Sequence, residues 1–150
     1  MAPRRASTEA AVAETAARSD VRAAAGARGT GGPGSADPLV AGLRKAGLLR
    51  LLVLHLLGQG PSYGNQLMER VGSATGGLVA VNPNTMYPLL RSLEGRGLVA
   101  GEWEHPERRS RRFYRITDSG RIELERLGGE LRPRLDRIAA SIDAIRAEVL

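Results

Sequence analysis

The sequence has 150 residues, 42% of them hydrophobic, which suffices for one domain of ordinary size with a buried core. Its formal net charge of +6 comes from 22 basic and 16 acidic residues, a balance that permits a polyanionic partner without proving one. There is no cysteine, which excludes disulfides, thiolate metal sites and thiol chemistry.

Residues 1–38 read as a disordered N-terminal tail. They are rich in Ala, Gly, Arg and small polar residues and include GARGTGGPGS from Gly26 to Ser35, which cannot bury enough apolar surface to offset chain entropy. The alanines between Ala10 and Ala17 support at most a transient helix. No Gly-Lys-Ser/Thr follows the glycines, so a phosphate-binding loop is the poorer reading. The tail lacks the apolar run of a secretory signal, and no stretch is long enough to span a membrane, so a cytoplasmic location is expected. Five of the arginines and four of the acids fall in this segment, leaving seventeen basic and twelve acidic residues for the rest.

From Leu43 to Leu57 the run LRKAGLLRLLVLHLL predicts a first helix that is apolar around most of its circumference. Burial against both its own domain and a second subunit would explain so wide a face. His55 has no second histidine or carboxylate at metal spacing and reads as an ordinary helix residue. Gly60-Pro61 ends the helix, Ser62 is placed to cap the next, and Tyr63 to Val71 supplies a short supporting helix.

Asn82 is an N-cap residue type directly before Pro83, whose missing amide costs nothing at the first helical position. Met86, Leu89, Leu90 and Leu93 then share one stripe that a core can cover. The opposite face carries Asn84, Thr85, Tyr87 and Arg91, with Ser92 beside them: hydroxyl, amide and guanidinium groups suited to phosphate oxygens and base edges in a major groove. Taken alone, the segment also fits an ordinary amphipathic surface helix. Pro88 should bend it, and Gly95 and Gly97 should end it.

Leu98 to Glu104 changes to strand-like alternation, with Val99, Gly101 and Trp103 on one face. His105 to Ser110 is turn-like, after which Arg111, Phe113 and Arg115 alternate with Arg112, Tyr114 and Ile116 in a second strand. Two such strands around a basic tip form a wing. Arg108, Arg109, Arg111 and Arg112 concentrate charge that can track a phosphate backbone, although a charge run is also what a solvated loop looks like.

These blocks together resemble the PadR-type winged helix-turn-helix transcriptional regulators. The resemblance is carried by Pro61-Ser62-Tyr63-Gly64 with Leu67, by Asn84-Thr85-Met86-Tyr87-Pro88-Leu89-Leu90, by Leu93-Glu94 with Gly97-Leu98, and by Arg112-Phe113-Tyr114-Arg115-Ile116-Thr117 with Gly120. They occur in the family's order over about residues 48–127, departing mildly at Asn84 and Met86, where many members carry Gly and Leu. The resemblance implies that Tyr63 sits near the DNA backbone and that the protein is a homodimer, most relatives being repressors. In some relatives planar aromatic or amphipathic compounds bind at the dimer centre; here the final helix has no tryptophan, and no effector is named.

After Thr117, a good N-cap, a long helix is indicated by apolar residues at spacings of three and four, among them Leu131, Leu135, Ile138, Ile142 and Ile145. Gly128-Gly129 and Pro133 weaken it, at roughly 1 kcal/mol per glycine and about 3 for proline relative to alanine, and should bend or break it. Dimerisation is the expected way to cover this stripe.

The sequence therefore predicts a mainly α fold with a small β-hairpin (α+β). Its expected parts are the tail, a winged helix-turn-helix DNA-binding domain over residues 39–117, and a C-terminal dimerisation helix over 118–150. The expected function is sequence-specific binding of double-stranded DNA as a homodimeric repressor of a pseudo-palindromic operator, released by an unknown effector. DNA contacts are expected from Tyr63, Asn82, Asn84, Thr85, Tyr87, Arg91, Arg108, Arg109, Arg111 and Arg112. A winged-helix module for protein–protein interaction is the alternative. Catalytic residues, cofactors and metals are not expected, since no nucleophile motif or clustered His/Asp/Glu set is present.

Overall fold

The computed structural model describes residues 37–107 and 111–150. The expected tail, apart from its last two residues, and the wing-tip residues Arg108 and Arg109 lie outside them.

Asp37 caps the first helix, α1 (Pro38–Lys45), by accepting from the Leu39 amide at 2.8 Å. Helix α2 (Leu48–Gly58) follows at once. The single first helix expected from Leu43 is therefore two helices, the first of which begins at the tail's last residue. The break is Gly47, at φ 106, a left-handed conformation that a side chain would strain. A β-carbon there would also meet Leu127 Cδ2 at 3.3 Å. With the chain turned at Gly47, Val53, Leu54, Leu56 and Leu57 all enter the core.

Ser62 does not cap the supporting helix. It forms, with Tyr63, a two-residue strand β1, and the helix α3 (Gly64–Ala74) is capped one residue later: the Tyr63 amide and the Ser62 hydroxyl both donate to Gln66 Oε1, at 3.2 and 3.4 Å. Helix α4 (Pro83–Gly95) begins where expected, with Asn82 Oδ1 accepting from the Thr85 amide at 3.2 Å. Met86, Leu90 and Leu93 are fully buried. The helix runs on through Pro88 and ends with Gly97 at φ 73, the Leu98 amide donating back to the Leu93 carbonyl at 2.9 Å.

Strands β2 (Val99–Trp103) and β3 (Arg112–Ile116) form the expected hairpin. The sheet has a third member, because β1 pairs antiparallel with β3 to give the order β1-β3-β2. Val99 lies opposite Ile116, and Gly101 opposite Tyr114; Val99 and Tyr114 are buried on that face. Alternation turns Ala100, Glu102, Phe113 and Arg115 to the other face, where Tyr63 joins them opposite Phe113.

Helix α5 (Asp118–Val149) starts at Thr117, whose hydroxyl oxygen accepts from the Gly120 amide at 3.1 Å and donates to the Gly97 carbonyl at 2.6 Å. Leu127 and Leu131 are buried in their own subunit. The expected break at Gly128-Gly129 or Pro133 does not occur; the helix is continuous over 32 residues. Beyond Leu131 its apolar residues emerge: Ile142 is 44% exposed, Ile145 60% and Val149 68%.

Near the root of α5, Glu123 accepts from Arg126 at 2.6 Å and from Arg96 at 3.3 Å. The Arg126 hydrogen bond outweighs partial burial, and the charges of Arg126, Arg96 and Arg50 act with it, so the carboxyl is held below its ordinary 4.5. A carboxyl depressed on folding stabilises the fold above its unfolded pKa, and that contribution disappears as pH falls through the folded value. Glu123→Gln should therefore melt below the wild type at pH 7, and the gap should close below about pH 4.5. Paired thermal melts across that range test this; a gap independent of pH would show that Glu123 acts by shape alone.

Candidate nucleic-acid interface

The outward face of α4 is set by its core stripe. With Met86, Leu90 and Leu93 inside, Asn84, Pro88, Arg91 and Ser92 lie on the exposed side, and Thr85 is half-buried at its border. Asn84 and Arg91 thus share a solvent-facing surface of the helix. Asn82 serves the helix differently, since its side-chain oxygen is committed to the cap. Tyr87 turns aside from this face: a β-carbon on Gly64 would lie 2.7 Å from its ring, so the ring fills the space that glycine leaves and braces α4 against α3.

Arg112, expected at the DNA, points inward. Its Nη2 donates to Glu94 Oε2 at 2.7 Å and to the Gly101 carbonyl at 3.3 Å, and its guanidinium lies 5.7 Å from the ring centroids of both Trp103 and Tyr114. The Gly101 amide donates to the same Glu94 oxygen at 3.1 Å. Glu94 therefore fastens the end of α4 to the hairpin, and Arg112 is the other half of that fastening. The physical reason is strand alternation, which puts Arg112 on the same face as buried Tyr114. Glu94 was missed from sequence, yet a signal was present. A carboxylate in the last turn of a helix faces the negative end of the macrodipole and calls for a cationic partner.

The wing's open face carries the remaining groups. The Arg111 guanidinium lies 4.2 Å from the centroid of the Tyr63 ring, and that ring meets Phe113 edge-on at 6.3 Å. Arg111 Nε donates to Glu104 Oε2 at 3.4 Å, and Arg115 Nη2 lies 2.6 Å from Glu102 Oε1. Partial burial would raise the Glu104 carboxyl. Hydrogen bonds from Arg111 and Tyr63, with the charges of Arg111 and His105, outweigh it and hold the group below the ordinary carboxylate range. Tyr63 is thus both a packing ring and a hydroxyl donor on the wing.

His55 is exposed on α2 and accepts from Gln59 Nε2 at 3.4 Å, while Gln59 Oε1 accepts from Arg70 at 2.8 Å. Among the described residues no group of His, Asp and Glu could hold a metal ion, and no helix is long and apolar enough to cross a membrane.

The family model described as "Transcriptional regulator PadR-like family" matches residues 53–126. Transcriptional regulator Rv3488 of Mycobacterium tuberculosis is 37% identical over 76 residues, 51% of this chain and 68% of that protein. The chain belongs to the PadR-like family of transcriptional regulators.

Solved structures of transcriptional regulators agree with the fold. The PadR family transcriptional regulator from Eggerthella lenta is 30% identical, with a TM-score of 0.52 over 72% of this chain and 96% of its own. The putative transcriptional regulator TA0346 from Thermoplasma acidophilum is 27% identical, with a TM-score of 0.52 over 70% and 94%. The PadR-like family and these relatives are transcriptional regulators rather than enzymes, and the fold is a winged helix-turn-helix followed by a long C-terminal helix.

Proposed function

We propose that this PadR-like regulator is a cytoplasmic homodimeric repressor that reads a pseudo-palindromic operator and is released by an effector of unknown identity. The observation that carries the DNA reading is the exposed polar face of α4 beside a basic hairpin. Asn84, Thr85 and Arg91 read base edges in the major groove. Tyr63, Arg111 and the tip residues Arg108 and Arg109 follow the adjacent backbone, and Asn82 and Tyr87 hold the helix in position. Residues 39–117 act as the DNA-binding domain and 118–150 as the dimerisation arm, with the segment before residue 37 dispensable for both. Leu135, Ile138, Ile142 and Ile145 form the dimer seam, whose apolar surface emerges from the subunit beyond Leu131.

Selection of bound duplexes from a random pool tests the reading directly. The expected product is a palindrome with half-sites about one helical turn apart, roughly 34–36 Å. Asn84→Ala and Arg91→Ala should each change the preferred bases, at about 1–3 kcal/mol of discrimination for a lost base contact. An unchanged preference in both variants would mean that another face of α4 meets the bases. Binding to every duplex alike would leave the protein–protein module as the better account.

A further inference from the structure

The described wing arginines are all engaged with carboxylates of the same subunit. Arg112 reaches inward to Glu94, while Arg111 and Arg115 stay on the open face with Glu104 and Glu102. The two open-face pairs sit differently from the inner one. Arg111 and Arg115 are 61% and 57% exposed, against 22% for Arg112, so a phosphate oxygen can reach them from solvent.

The geometry of each pair follows from the ladder. Glu104 lies across from Arg111, its amide donating to the Arg111 carbonyl at 2.8 Å, and the Tyr63 ring under the guanidinium holds the cation in place. Glu102 lies opposite Phe113 and reaches diagonally to Arg115. The open face therefore alternates two cations with two anions. A DNA backbone approaching it meets carboxylates at the same range as guanidinium groups, and like-charge approach opposes binding. Exposed pairs of this kind add little to folding stability, so they are readily exchanged.

We propose that Glu102 and Glu104 limit the general DNA affinity of the wing: each holds an arginine that must trade a carboxylate for a phosphate oxygen on binding. This rests on the DNA-binding reading above. The wing then sets the level of sequence-independent affinity, while α4 sets preference, because phosphate contacts carry no sequence information. The carboxyl of Glu104 stays ionised throughout the neutral range, its pKa being depressed, so the restraint does not relax near pH 7.

The test is Glu102→Gln/Glu104→Gln, measured on a selected operator and on a random duplex over a salt series. Releasing two arginines to phosphate should steepen the slope of log affinity against log salt by up to about 2 and raise affinity roughly ten- to sixty-fold at about 0.1 M salt. Operator and random duplex should gain equally. Misfolding lowers affinity, so it cannot imitate this result. A charge-matched control, Glu125→Gln/Glu130→Gln on exposed positions of α5 before the seam, should change affinity less than about two-fold if the effect is local. A control gain equal to the wing variant's would overturn the proposal in favour of net charge. Wild-type binding with no gain in the wing variant would overturn it outright. Absence of wild-type binding to any duplex would instead overturn the DNA-binding reading itself.

Discussion

Leu135→Glu/Ile142→Glu should sediment as a monomer and bind operator about 10²- to 10⁴-fold more weakly than the wild type. Both side chains lie beyond Leu131, where α5 has left its own core; Ile142 is 44% exposed and Leu135 half-buried. Placing carboxylates in an apolar seam removes them from water with no compensating partner, which costs several kcal/mol at each site. The subunit itself should be spared, because neither position belongs to the buried cluster. Its melting curve should lose concentration dependence and keep its cooperativity. The loss of affinity exceeds anything two side chains could contribute by contact, since a dimer meets its second half-site at high effective concentration and a monomer does not. A variant that stays dimeric and keeps full operator affinity would place the dimer contact elsewhere.

Gly120→Ala should destabilise the subunit by about 3 kcal/mol or more, as an overpacked backbone contact does. The added carbon would stand 2.0 Å from the Leu98 carbonyl oxygen and 2.6 Å from Ile116 Cγ1. Neither neighbour can step aside cheaply. The Leu98 carbonyl already accepts from the Thr117 amide at 3.1 Å, and the Leu98 amide is tied to Leu93 at 2.9 Å. Chemical denaturation followed by circular dichroism reads the effect. Unchanged stability would mean that the start of α5 can lift from the hairpin without cost.

The elements that were legible in the sequence are those decided locally. Asn82-Pro83 and Thr117 announce helix starts because a capping side chain acts within its own turn, and the α4 stripe and the wing alternation need only periodicity. Gly47 was not legible, because a glycine inside an apolar run looks like a helix interior until the left-handed turn is seen. Strand β1 was hidden for another reason. Two residues carry no period, and Ser62-Tyr63 becomes a strand only through pairing with β3. The site divides in the same way. Exposure of Asn84 and Arg91 follows from the helical repeat, whereas the inward turn of Arg112 depends on which face of the hairpin meets α4. Leu131 shares the spacing of the later stripe but is covered by its own domain, and spacing cannot tell where a helix leaves its core.

Helix α5 has 32 residues, a length of about 48 Å at 1.5 Å per residue, and its last buried residue is Leu131. Buried Leu127 and Leu131 fix the first part of the rod to its own subunit, so in the proposed dimer the lever turns about the seam. Rotation by about 5° about Ile142 carries Thr117, 25 residues or about 38 Å away, roughly 3 Å sideways, which is about the rise of one base pair, roughly 3.4 Å. In the proposed dimer the two reading helices are carried on these rods. A ligand wedged between them near the root would therefore shift the half-site separation by a base-pair step without touching any group that faces DNA.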